Sequence, residues 1–435
     1  MKLPSTRSNL WAAAIVLGVA ACGGDDAPAD PDAAPSPDAD QTPDATALGE
    51  VTMTLEEDGA PRVGVPVLFY QPDGSLAAEV DTDATGQAAA DLLPGGSVVL
   101  VDLGLTAAVA GGSGAPAVAY VGVQPGDQLR FAPSSGGPGS VTTTLTSATF
   151  AGADQYRFEL GCGPTQSSAT PSATFTNISC PASTSVAVLA FQAGTLVASV
   201  YAPTVTLAAA VAVPGAFVAP ETVTVTATGL SPALTGAEIE AYRSTTDRLQ
   251  VGPAIEASTT GGAMVVATGP QPAIPGATQR LLHRQERDGF PNRYALANVP
   301  TAAAISFDVS EHLPPWLGPV VFDAKGGTLQ FTTVGDGGID YAIAAVSATH
   351  AGGGGYFWYV HGKLDGRPYK FPILPAAYAA AQPQPSDELN SAFALLINAD
   401  APRVDLMRTE FGLLIDGEAV LFPEPGGHVA LSGNF

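Results

Sequence analysis

The chain has 435 residues, too many for one compact core, with 41 acidic against 17 basic residues and a formal charge of −24. That charge repels phosphate backbones and argues against nucleic acid as a partner. Gly (49) and Pro (38) punctuate short Ala- and Val-rich runs, which favours many short strands and excludes coiled coils and transmembrane bundles.

Lys2 and Arg7 form a short positive segment, and residues 10–21 are an apolar run about half the length needed to span a bilayer. This is the layout of a secretory signal peptide, assigned to residues 1–21. Val19-Ala20-Ala21-Cys22 resembles the bacterial lipobox, with Val where Leu is usual. The resemblance implies cleavage before Cys22 and acylation of its thiol. Gly23 follows the cysteine. Under the sorting rule for such proteins this implies an outer-membrane lipoprotein of a Gram-negative cell, on either the periplasmic or the extracellular face.

Residues 22–47 read as a disordered Asp-, Pro- and Ala-rich tether. Seven aspartates lie there (Asp25, Asp26, Asp30, Asp32, Asp38, Asp40 and Asp44), and no Lys or Arg occurs between Arg7 and Arg62. Such a segment has too little apolar surface to offset its ordering entropy. Fully extended it reaches on the order of 70 Å.

The remainder reads as all-β, a tandem array of immunoglobulin-like β-sandwiches. In residues 48–131, Val51 to Leu55 and Val65 to Phe69 alternate with period two. Further strands are expected at 76–80, 87–93, 97–102, 118–123 and 128–131. Gly59 to Gly96, "GAPRVGVPVLFYQPDGSLAAEVDTDATGQAAADLLPGG", is similar to bacterial Ig-like and carboxypeptidase-regulatory-like modules. That likeness implies a structural or adhesive module and carries no active site. Asp81 to Gly86 imitates the start of a calcium loop, but the twelfth position is Leu92 where a bidentate carboxylate is required, so a hairpin turn is expected.

A β-rich unit follows at 132–215, where Cys162 and Cys180 are expected to pair in an oxidising compartment. A sandwich is expected at 216–315, because Glu221 to Ser244 echoes Gly49 to Gln71. A C-terminal β-rich unit spans 316–435, with strand signals at 412–415 and 419–422. Residues 387–399 are open to either helix or strand.

Candidate sites are few. No GxSxG, HExxH, P-loop or GxGxxG motif is present, and no metal or cofactor is called for. His350 and His361 flank the strand "AGGGGYFWYV", but hairpin geometry puts them roughly 16 Å apart on opposite faces. Within that strand Tyr356 and Trp358 share one face and form a candidate ligand platform. Arg280, Arg284 and Arg287, with His283 and Arg293, form a candidate anion contact in an otherwise acidic chain. The expected function is that of a lipid-anchored cell-envelope protein, a non-enzymatic binding, adhesive or structural module. The membrane is one partner, and envelope polysaccharide or another envelope protein is the other. The alternative is a surface hydrolase acting on carbohydrate or protein, with its site in the C-terminal unit.

Overall fold

A computed structural model of the protein describes residues 47–57, 60–101, 115–131, 140–231, 233–245, 250–260, 264–310, 313–362, 368–399 and 427–433. The signal segment, Cys22, all but the last residue of the tether, and the strand signals at 412–415 and 419–422 lie outside these residues. The described chain is all-β and is built of tandem sandwiches.

Sandwich I comprises β1 (Gly49–Glu57), β2 (Ala60–Pro61), β3 (Pro66–Tyr70), β4 (Leu76–Asp81), β5 (Gln87–Leu92), β6 (Gly96–Val101), β7 (Ala115–Val123) and β8 (Gln128–Phe131). Each strand expected between residues 51 and 131 forms. Alternation sets the faces: Val51, Met53 and Leu55 are buried, and Thr52 and Thr54 between them are half-exposed. β1 pairs antiparallel with β5 and parallel with β8. In the facing sheet β3 pairs with β4 and β6, and β6 with β7. The inner faces close on one core that includes Met53, Val67, Phe69, Leu100 and Phe131. The turn at 82–86 is not the expected hairpin, because β4 and β5 belong to different sheets. Asp83 shapes this crossing. Its Oδ1 accepts from the Thr85 N–H (2.8 Å), the Gln87 N–H (3.0 Å) and the Thr85 hydroxyl (2.7 Å), so its lone pairs serve the turn.

Sandwich II repeats this wiring. It contains β9 (Ser140–Thr146), β10 (Gln155–Leu160), β11 (Thr165–Ser168), β12 (Ser172–Ser179), β13 (Ser183–Gln192), β14 (Thr195–Thr206) and β15 (Ala210–Ala212). Sandwich III contains β16 (Glu221–Thr228), β17 (Gly236–Ser244), β18 (Gln250–Thr259), β19 (Val265–Gln271), β20 (Thr278–Glu286), β21 (Arg293–Pro300) and β22 (Ala304–Asp308). In both, the first strand pairs antiparallel with the fourth and parallel with the last, and the other strands run third-second-fifth-sixth. The sequence echo has a structural basis: Glu221 to Ser244 and Gly49 to Gln71 supply the first strand and the next strand of the facing sheet in III and I.

The Cys162–Cys180 disulfide, with Cα atoms 5.4 Å apart, joins the two sheets of sandwich II, because Cys162 follows β10 and Cys180 follows β12. Reducing it is expected to lower stability by about 3 kcal/mol through loop entropy in the unfolded chain. Urea midpoints with and without reductant measure this, and identical midpoints would refute it.

Sandwich IV departs from the pattern. It contains β23 (Trp316–Asp323), β24 (Thr328–Val334), β25 (Tyr341–Thr349), β26 (Gly355–Gly362), β27 (Tyr369–Lys370), the short 3-10 helix Ala376–Ala381, β28 (Glu388–Ala399) and β29 (His428–Gly433). The four-stranded sheet β26-β25-β28-β29 matches those of the other sandwiches. In the facing sheet, however, the place beside β24 is taken antiparallel by β23, the strand preceding it. Residues 388–399, open between helix and strand in the sequence, form β28.

The tandem order in sequence is not separateness in space. The larger sheets of III, IV and I are one sheet of twelve strands, in the order β18-β17-β20-β21-β29-β28-β25-β26-β7-β6-β3-β4. β21 meets β29 antiparallel, from Arg293 opposite Ser432 to Ala297 opposite His428. β26 meets β7 parallel, from Tyr356 opposite Ala115 to Gly362 opposite Val121. Joining edges satisfies backbone groups that each four-stranded sheet would leave unpaired. The last described pair of the second junction needs a glycine: Gly362 sits at φ +152°, and a Cβ there would run into the Val121 carbonyl oxygen.

Candidate functional site

The aromatic strand β26 does not present a platform. Tyr356 and Trp358 are buried to 1% and 0% exposure in the core shared by sandwiches IV and I. Trp358 Nε1 donates to the Ala381 carbonyl at 2.6 Å, and its ring meets Phe371 edge-on with centroids 5.0 Å apart. The opposite pair is enclosed as well: Tyr359 is buried, and Phe357 is partly buried with its centroid 4.3 Å from that of Tyr359. The reading of Tyr356 and Trp358 as an exposed ligand surface is therefore corrected. Period two assigns side chains to faces but does not say whether a face is covered. The overlooked signal was the unbroken apolar run Tyr356 to Val360. Strands covered on both faces read in this way.

The flanking histidines part company. His361 is buried opposite Ile343, with Nδ1 3.1 Å from the Tyr341 hydroxyl and its ring stacked on Tyr120 at 5.3 Å. Burial pushes its pKa down to about 3. His350 lies in the β25–β26 turn, its Nδ1 2.9 Å from Asp387 Oδ1 and its Nε2 3.1 Å from the Ala380 carbonyl. Burial pulls the His350 pKa down, but the two hydrogen bonds and the Asp387 charge outweigh it and leave the pKa raised.

The basic cluster does not converge on one surface. Arg280 and His283 of β20 are buried. Arg284 is held by Glu238 (2.8 Å) and Glu286 (3.0 Å). Arg287 Cζ lies 4.7 Å over the Phe290 ring. The anion contact expected of Arg280, Arg284 and Arg287 is corrected for Arg280, which is buried, while Arg284 and Arg287 are half-exposed and already engaged by Glu238, Glu286 and Phe290. Strand alternation on β20 also turns His283 to the face opposite Arg280 and Arg284.

Two arrangements escaped the sequence. The first is a seam at the III–IV junction. Arg293 Nη1 donates to the Pro314 carbonyl (3.1 Å) and Nη2 to Gln285 Oε1 (2.7 Å), with Cζ 4.0 Å over the Trp316 ring. One step along, the Leu317 N–H donates to Ser432 Oγ at 2.9 Å. The chain entering sandwich IV is thus pinned where β21 and β29 pair. The second is the connection from β27 to β28, which crosses sandwich I: the Tyr70 hydroxyl donates to the Ile373 carbonyl (3.0 Å), and the Tyr378 hydroxyl to Glu79 Oε1 (2.7 Å).

Among the described residues no three or more His, Cys, Asp or Glu side chains are grouped to hold a metal ion, and no helix is long and apolar enough to cross a membrane.

No family model matches the chain, and no curated protein matches it. Solved structures similar to it include the Bacillus anthracis TIE protein, at 10% identity and TM-score 0.15, covering 60% of this chain and 50% of that one. The major pilin subunit BcpA of Bacillus cereus matches at 10% identity and TM-score 0.13, covering 59% and 89%. The shaft pilin SpaA of Lactobacillus rhamnosus GG matches at 12% identity and TM-score 0.14, covering 60% and 97%. This chain thus spans half the length of the TIE protein. Superposition this loose decides nothing. The strand pairing itself establishes the all-β tandem fold.

Proposed function

We propose that this chain is a lipid-anchored envelope protein whose fused sandwiches serve as a non-enzymatic binding, adhesive or structural module. The observation that carries the reading is the twelve-stranded sheet. A body whose units share backbone pairing resists bending at their junctions, which suits a spacer or a load-bearing surface. Aromatic and cationic side chains that could have formed a site are used inside that body. The lipobox-like Val19 to Cys22 and the acidic tether support attachment to the outer membrane, on the periplasmic or extracellular face. The outer partner is an envelope polysaccharide or another envelope protein. A carboxylate-lined cleft beside Trp358 would have favoured the hydrolase alternative, and that side chain is fully buried.

The mass of the mature chain from the envelope fraction tests the anchor. An amino terminus at Cys22 carrying diacylglycerol is expected, and a bare thiol would overturn it. A glycan and peptide array probed with the same material tests the binding role. Turnover of an arrayed glycan or peptide would favour the hydrolase instead.

A further inference from the structure

Residues 371–387 form a strap across the outer face of sandwich I. Phe371 and Leu374 enter the apolar cluster that holds Leu68, Tyr70 and Val99 of sandwich I. The Tyr70–Ile373 and Tyr378–Glu79 hydrogen bonds fix the strap to β3 and β4. Its trailing half is held to sandwich IV by Trp358 at Ala381 and by His350, which touches two points at once.

His350 Nδ1 faces the Asp387 carboxylate and Nε2 faces the Ala380 carbonyl, at 2.9 and 3.1 Å. Both partners are acceptors. A neutral imidazole carries one N–H and an imidazolium carries two, so only the protonated ring satisfies both contacts. The Asp387 side chain is fully buried, and its second oxygen, Oδ2, accepts from the Gln384 N–H at 2.6 Å. Losing the cation would therefore strand a buried carboxylate.

We propose that His350 is a proton-operated latch: protonated, it clamps residues 380 and 387 of the strap to the β25–β26 turn, and neutral, it releases one of them and loosens the trailing half of the strap from sandwich IV. Asp387 on the strap favours the closed form. Also nearby are the Tyr356 phenol of β26, with ring centroids 5.2 Å apart, and Glu388 of β28 at the register position opposite Thr349. Because the folded pKa of His350 lies above its ordinary 6.5, the clamp is complete below pH 6.5 and is lost as pH rises through the folded value.

Hydrogen exchange of the whole protein from about pH 6 to about pH 9, corrected for intrinsic rates, tests the latch alongside an NMR titration of the His350 ring. Protection of residues 380–387 should fall several-fold with the same midpoint as the ring, while the β25–β28 ladder stays protected. His350→Gln should exchange fast across 380–387 at every pH. Asp387→Asn should move the midpoint down, which a merely structural role for His350 would not do. Flat protection in the wild type, or an unmoved midpoint in Asp387→Asn, would overturn the proposal. The wild-type and Asp387→Asn titrations decide the matter even where His350→Gln fails to fold.

Discussion

Trp358→Ala should destabilise the protein by about 3–5 kcal/mol, the range for deleting a large aromatic side chain from a core that cannot collapse around the gap. Trp358 has no exposed surface, and its neighbours Phe371, Leu374 and Ala381 come from the strap. The Ala381 carbonyl also loses its 2.6 Å donor. Trp358→Phe keeps much of the volume and loses the N–H, so its cost should be smaller, about 1–3 kcal/mol. Urea midpoints at constant slope read both. A Trp358→Ala protein that keeps its midpoint but loses a ligand would restore the platform and refute the core assignment.

Acid should weaken the fold through two buried histidines. His361 is pushed down to about 3, and His283 to about 4, by burial above all and for His283 also by the Arg293 charge. Both bind a proton less tightly folded than unfolded, where the ordinary value is 6.5. Their contribution is therefore complete above pH 6.5 and is lost as pH falls through the folded values. At about pH 4.5 each should have lost on the order of 2–3 kcal/mol, from about 1.4 kcal/mol per pH unit. The same titration in His361→Gln and His283→Leu should show a shallower acid slope. If both variants track the wild type between about pH 7 and pH 4.5, other groups carry the acid sensitivity. His350 works in the opposite direction, since its raised pKa makes acid strengthen its contacts.

These two predictions also mark how far the sequence could be read. Seven of the eight strands of sandwich I were legible because they are short apolar or alternating runs set between turn residues, a local pattern that side-chain polarity records, as in the alternation of β1. Cys162 and Cys180 were legible because only two cysteines follow the lipobox-like segment. The burial of Trp358 was not recognised, since the strand marks which residues share a face and the covering strap arrives from residues 371–387. The basic cluster misled for a related reason. Closeness in sequence on β20 alternates sides, and the pairing of Arg284 with Glu238 is decided by the neighbouring strand β17.

The amino-acid sequence by itself determined the acidic charge, the lipobox-like stretch Val19 to Cys22 and the Asp-rich segment after it, the strand-rich class, the echo between sandwiches I and III, and the cysteine pair. All of these depend on composition or on residues close together in the chain. Only the tertiary structure decided that β7 meets β26 and β21 meets β29, that β23 stands beside β24, and that His350 and His361 titrate in opposite directions. Strand edges carry the same N–H and C=O groups whatever the side chains, so which edges meet is set by the packing of whole sandwiches. A histidine's proton affinity likewise follows from what surrounds the ring: Asp387 and a carbonyl in one case, Tyr120 and Tyr341 in the other.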